Sequence, residues 1–363
     1  MLLAAAGLPF PESRDRRTRA GTRSWPPYRL APPRHRTTTL RIDRNHNATA
    51  TPTDRFSGSH SLLREIVVRQ CMSDTEVPIE SPVPDRWEEG NVDADGVRLH
   101  YTRTGGDGPP LVVAHGVFDD GPCRTPLVRT LEGDYDVVAF DARGHGRSDA
   151  PDSGYGVADR VADLTGLIDA LDLADPILLG HSMGGDTVLA TAAAHPDLPR
   201  AVVAVDPACL LAHNEDRRDD QNSADSDDGD DNPAAGVRDQ VLWWHDHSKA
   251  ELFEADEEIA GHAAAGDRDL ASLLADARLR VSPNITAVFE EGWLDPAERF
   301  PDIAAPTLVL RADVDERARD LDRERVALID DARLVHVDGA GHCVFRDQRE
   351  VATRELRAFL DEI

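Results

Sequence analysis

One pentapeptide constrains this chain more than any other feature. Gly180-His181-Ser182-Met183-Gly184 follows a short apolar run, Pro176 to Leu179, and opens an Ala-rich stretch that continues to about His195. A buried strand that passes directly into a helix must tighten its backbone sharply, and glycines two positions before and after the serine carry no side chain to collide there. The pattern predicts Ser182 at the carboxyl end of a strand. The free N–H groups of a helix N-terminus would point at the same place, where they favour a developing oxyanion. The alternative is an ordinary strand-to-helix loop with the same spacing.

The flanking sequence alternates in the same way. Glu88 to Val92 and Val97 to Arg103 surround the hairpin signal Asp95-Gly96. Leu111 to Ala114, Val137 to Phe140 and Ala201 to Val205 are continuous apolar runs, suited to strands buried on both faces of a parallel sheet. Val157, Val161, Leu164, Leu167, Ile168 and Leu171 share one helix face. This is the α/β, doubly wound, mostly parallel pattern. It stops after Asp206 and resumes with Thr307 to Leu310, Leu334 to Val337 and a closing helix, Glu350 to Ile363. The core is therefore expected over residues 85–206 and 301–363, with an insertion at 207–300. Within the insertion, 214–232 reads as an acidic low-complexity loop. Val237 to Phe253 and Asp267 to Arg280 read as amphipathic helices.

Charge separates the first residues from the rest. Residues 1–71 hold 13 Arg against 5 acidic residues, whereas from Met72 onward 27 basic residues face 63 acidic ones, and Lys249 is the only lysine. Residues 1–75 lack any period and read as a disordered basic extension. The abrupt change at Met72 suggests the natural start lies there. A basic tethering arm is the alternative. The acidic, lysine-poor remainder resembles proteins of salt-accumulating organisms, whose anionic surfaces stay hydrated at molar salt. Nucleic acid and membrane surfaces are excluded as main partners, because both need a basic footprint. No apolar run is long enough for a transmembrane span and no signal peptide is evident, so a cytoplasmic location is expected. Cys71, Cys123, Cys209 and Cys343 are scattered without metal-ligand spacing, which suggests free thiols. His245-Asp246-His247 does not suggest a metal either, since two histidines at i, i+2 on a helix point apart. No metal or cofactor is expected, and the partner expected is a small-molecule substrate.

A serine hydroxyl needs a base, and that base needs a carboxylate to fix its tautomer. Gly339-Ala340-Gly341-His342 follows the last strand run and offers His342 as base. Asp315, just past Thr307 to Leu310, completes the order Ser, Asp, His. Asp313, Glu316 and Asp206, which ends the strand after the nucleophile helix, are alternatives. Cys343 could be a second nucleophile or a small buried filler.

These motifs resemble the α/β-hydrolase superfamily over roughly residues 85–363. His115-Gly116-Val117 resembles its H-G segment. Asp141-Ala142-Arg143-Gly144-His145-Gly146-Arg147-Ser148 resembles a loop of its serine esterase, haloperoxidase-like and C–C hydrolase branches, and the Ser182 and His342 motifs match as well. Ala312 departs from the glycine common before the family's acid, although counting from Pro306-Thr307 still reaches Asp315. Serine at position 182 sets the chain apart from the branches with an aspartate nucleophile. The resemblance implies an oxyanion hole from the N–H groups of Val117 and Met183. It implies a helical cap at 207–300, in which Trp243, Trp244, Phe253, Phe289 and Trp293 line a substrate pocket or form the cap's own core. It also implies carboxylic ester hydrolysis, with C–C bond hydrolysis or a non-catalytic ligand-binding role as rivals. His115, His145 and His181 are expected to be structural.

Overall fold

The computed structural model describes residues 83–94, 96–211 and 233–363. The basic extension, the expected start at Met72, Cys71, Asp95 and the acidic segment 214–232 lie outside these residues. Eight strands form one sheet in the order β1-β2-β4-β3-β5-β6-β7-β8. The hairpin β1 (Glu88–Ala94) and β2 (Val97–Arg103) forms one edge, and β2 pairs antiparallel with β4 (Asp136–Phe140). The other strands are parallel: β3 (Pro110–Ala114), β5 (Ile177–His181), β6 (Ala201–Val205), β7 (Thr307–Arg311) and β8 (Ala332–His336). This is an α/β-hydrolase fold.

Alternation along each strand divides the core into two layers. Val112, Val138, Leu178 and Val202 face α2 (Val157–Ala170) and α3 (Met183–Ala194), while Leu111, Val137, Leu179 and Val203 face α1 (Thr125–Leu131) and α12 (Arg349–Leu360). β3, β4, β5 and β6 are buried almost throughout, which is why they read as unbroken apolar runs.

Between β6 and β7 lie α4 (Pro233–His245), α5 (Lys249–Ala255), α6 (Glu257–Ala264), α7 (Arg268–Arg280), α8 (Ala287–Glu291) and α9 (Pro296–Arg299). They build a third apolar cluster around Val241, Leu252, Ile259 and Leu274, which also takes in Cys123, Tyr155 and Met183 from the core. The helix expected from Val237 to Phe253 is two. Ser248 interrupts it by capping α5, accepting from Glu251 N–H while the Glu251 carboxylate accepts from Ser248 N–H at 2.8 Å. After β7 come α10 (Glu316–Val326) and, beyond β8, α11 (Val344–Asp347). α10 escaped the apolar pattern because it buries only Ala318, Asp322 and Val326.

Parallel register sets the site. His181 pairs with Val205, and Val205 with Leu310, so β5, β6 and β7 end side by side. The residues that follow, Ser182 and Asp206, and the last residue of β7, Arg311, therefore meet at the carboxyl edge of the sheet.

Candidate active site

Ser182 has φ 54 and ψ −115, a left-handed backbone that side chains rarely adopt. Its surroundings leave no slack. A Cβ on Gly180 would strike the backbone of Gly184, and one on Gly184 would strike the carbonyl of Ala114. Ser182 N–H donates to Val205 C=O at 2.9 Å and Gly184 N–H to His115 C=O at 3.0 Å, tying the turn to both neighbouring strands. Spacing in the sequence thus reflects steric exclusion at two backbone positions.

The Ser182 hydroxyl lies 2.9 Å from His342 Nε2, and His342 Nδ1 lies 2.6 Å from Asp206 Oδ2. With a carboxylate at Nδ1, that nitrogen carries the proton and Nε2 is free to accept from the hydroxyl. Asp206 is itself at positive φ, 42, directly after β6. Its Oδ1 accepts from the Arg311 guanidinium and from Ala312 N–H at 3.1 Å. Burial would raise this carboxyl, but the Arg311 cation, the bond to His342 and the Ala312 N–H outweigh it and hold the group at about 2.

The expectation for Asp315 is corrected here: the carboxylate on His342 Nδ1 belongs to Asp206. Asp315 is the N-cap of α10, where its side chain accepts from Ala318 N–H at 2.9 Å. Asp313 is also engaged elsewhere, accepting from Arg319 and from Gly339 N–H. Sequence order alone cannot distinguish these acids, because both β6 and β7 end at the edge where His342 arrives. Two signals pointed to Asp206: its place after an all-apolar strand, and Arg311, a cation at the end of the next one.

Three buried histidines brace the loops around Ser182. His181 Nε2 donates to His342 C=O at 2.9 Å and its Nδ1 faces Arg124 at 3.1 Å; burial and that guanidinium push it well below the usual histidine range. His115 Nε2 accepts from Ala142 N–H at 2.9 Å, and burial and neighbouring His145 lower His115 to about 3, so it is neutral. His145 Nε2 lies 2.6 Å from Val117 C=O and fixes that peptide, whose residue was expected to supply an oxyanion donor together with Met183. Asp141 accepts from the N–H groups of Gly121 and Arg147 at 2.8 Å each, closing the loop that carries His145.

An ion-pair network joins this edge to the insertion. Asp119 contacts Arg124 and, at 2.8 Å, Arg346; Glu258 of α6 contacts Arg278 at 2.6 Å and Arg346 at 2.7 Å. Arg278 also donates to Phe118 C=O, one residue beyond Val117. Cys343 packs into this network 3.4 Å from Arg346, and burial pushes its thiol up to about 11. A raised thiol disfavours the thiolate that a nucleophile needs, although Cys343 itself is half-buried. No sequence signal linked these residues, since the β3–α1 connection, α6, α7 and α11 supply them.

The aromatic residues of the insertion belong to its own cluster. Trp244 is buried, donates to Asp256 at 2.9 Å and packs edge-on to Phe118, so its ring is committed to structure. Trp243 packs at a tilt against His247, and Phe289 meets Trp293 edge-on. Met183, next to the serine, lies in the same cluster. Among the described residues no helix is long and apolar enough to cross a membrane.

The fold and these motifs define a family, and comparison with known proteins agrees. The model of the alpha/beta hydrolase fold matches residues 109–348, and the chain belongs to that family. The 2-(acetamidomethylene)succinate hydrolase of Mesorhizobium japonicum is 38% identical over 122 residues, which cover 34% of this chain and 44% of that protein. N-formylmaleamate deformylase of Pseudomonas putida is 28% identical over 281 residues, 75% of this chain and 96% of the relative. Among solved structures, that of E-2-(acetamidomethylene)succinate hydrolase aligns with a TM-score of 0.57 and 26% identity, over 76% of this chain and 99% of the other. Relatives of this chain are hydrolases of the α/β family.

Proposed function

We propose that this chain is a serine hydrolase that transfers an acyl group to water through Ser182. The observation that carries this is the hydrogen-bonded row Ser182–His342–Asp206 at the sheet edge, with the nucleophile on a strained turn. The Ser182 oxygen would attack a carbonyl carbon as its proton passes to His342 Nε2. N–H groups of Val117 and Met183 would stabilise the tetrahedral oxyanion. His342 would then return the proton to the departing group as the carbonyl bond to it breaks. Water, activated by the same imidazole, releases the acid and restores Ser182. Asp206 keeps the imidazole in the required tautomer and stabilises its charged form. The insertion would serve as a cap, with Trp243, Phe289 and Trp293 on the substrate side. A small to medium carboxylic ester with an apolar portion is the substrate class.

A second substrate class is favoured by the names of the relatives. A 2-(acetamidomethylene)succinate hydrolase and an N-formylmaleamate deformylase are both named for compounds that carry an acyl–nitrogen bond beside carboxylates. The same machinery would serve that bond, so a substrate panel should pair esters with enamides, formamides and vinylogous diketones.

The test is intact-mass labelling with a fluorophosphonate in molar KCl, comparing wild type with Ser182→Ala. Stoichiometric labelling that disappears in the variant is expected. A folded wild type that takes up no label would argue for ligand binding without catalysis.

A further inference from the structure

We propose that Arg311 is a positioning residue for the reaction, holding the Asp206 carboxylate in the rotation that presents Oδ2 to His342. The inference rests on the assignment of Asp206 as the acid of the row. Arg311 closes β7, and its side chain is only 1% exposed. One end of the guanidinium contacts Asp206 Oδ1, and Nε donates to Asp322 Oδ2 at 2.9 Å. Asp322, on α10, is fully buried and also meets His336 Nε2 of β8 at 3.0 Å. The fork is therefore clamped from behind before it reaches Asp206, and its plane fixes one carboxylate oxygen while Ala312 N–H fixes the same atom from the strand. Only Oδ2 remains for the imidazole.

The arrangement explains how an acid at positive φ after β6 can stay aimed. Asp206 sits on a strained backbone, and without the guanidinium Ala312 N–H would remain to hold Oδ1 against rotation of the carboxylate. The charged and titratable groups facing this cluster are Asp206 from β6, Asp322 from α10, His336 from β8 and the Cys209 thiol beyond β6. His342 and, through its ring 4.7 Å away, His181 face it from the serine side. Among the described residues Arg311 is the fixed cation that contacts Asp206, so the proton affinity of the Asp206–His342 pair depends on it.

Opposite charges on Arg311 and Asp322 permit a test that a purely structural role would fail. The acid limb of kcat/KM toward a small activated ester is measured for wild type, Arg311→Gln, Arg311→Lys and Asp322→Asn, in parallel with Asp206→Asn. Removing the cation should move the limb up by about one pH unit. Removing the anion behind it should move the limb down, and lysine, which keeps the charge without the fork, should lower kcat while leaving the limb near wild type. If Arg311→Gln does not fold, the downward shift in Asp322→Asn and the kcat loss in Arg311→Lys carry the test. Limbs that coincide in all folded variants, with Asp206→Asn inactive, would overturn the role of Arg311 alone. Full activity in Asp206→Asn would overturn the assignment of the acid and this inference with it.

Discussion

Asp206 Oδ2 sits 2.6 Å from His342 Nδ1 across a sequence separation of 136 residues, and the pairing exists because β6 and β7 end level with one another beside the serine turn. The two acids near the site therefore have separable jobs. Asp206→Asn should lower kcat/KM by about 10⁴-fold, because the amide holds the wrong tautomer of the imidazole. Asp315→Ala should leave kcat/KM near wild type and cost about 1 kcal/mol of stability through the lost cap of α10. Steady-state kinetics and urea melts of both variants check this. An inactive, fully stable Asp315→Ala would reverse the assignment.

Glycine spacing around the serine reflects backbone contacts, which predicts unequal effects for the same substitution. Gly184→Ala drives a methyl into the Ala114 carbonyl and should destabilise by about 3 kcal/mol. Gly261→Ala, inside α6 with nothing within 4 Å, should stabilise by about 0.5–1 kcal/mol through helix propensity. Equal melting shifts in the two variants would contradict the steric account.

Cys343 adjoins the proposed base His342 in sequence but should behave as an inert filler. The residue is half-buried and its thiol lies among Arg346, Glu258 and Asp119; desolvation pushes it up to about 11, so the thiolate is scarce at neutral pH. Iodoacetamide at about pH 8 should leave Cys343 unmodified in the native protein and label it after unfolding, as read by peptide mass mapping. Rapid native labelling would restore it as a candidate nucleophile.

Much of the core was legible because its signals are local. Continuous apolar runs mark β3, β4, β5 and β6, and the turn at Ser182 is written in five consecutive residues. The carboxylate partner of His342 was harder to read, since its identity depends on which strand neighbours β5 and β7, and strand order is a tertiary property. The network of Asp119, Arg124, Glu258, Arg278 and Arg346 was invisible for the same reason. In so acidic a sequence each of its carboxylates reads as a solvated surface charge. α10 was missed because its buried stripe includes an aspartate, Asp322, that packs inward only because Arg311 meets it there.

Two buried carboxyls should bend the pH dependence of stability in opposite directions. Asp206 is held at about 2 in the fold against about 3.9 unfolded, so its contribution is complete above pH ~4 and lost as pH falls toward 2. The stability gap between wild type and Asp206→Asn should thus narrow by about 2 kcal/mol over that interval. Asp120 is the reverse case: burial, and then the charge of Asp141, raise it to about 7, against which Cys123 N–H at 3.1 Å and Arg280 at 3.4 Å act only in part. A raised acid penalises the folded state as pH climbs from its unfolded value, about 4, through its folded one. Asp120→Asn should accordingly match wild type in its pH response below about pH 4 and gain stability relative to it between pH ~4 and ~7, by about 2 kcal/mol after allowing for relaxation around the buried charge. Guanidinium midpoints at fixed KCl, taken across pH 2 to 8, separate the two effects. A constant offset between Asp120→Asn and wild type over the whole range would show that Asp120 does not titrate within the fold's stable interval.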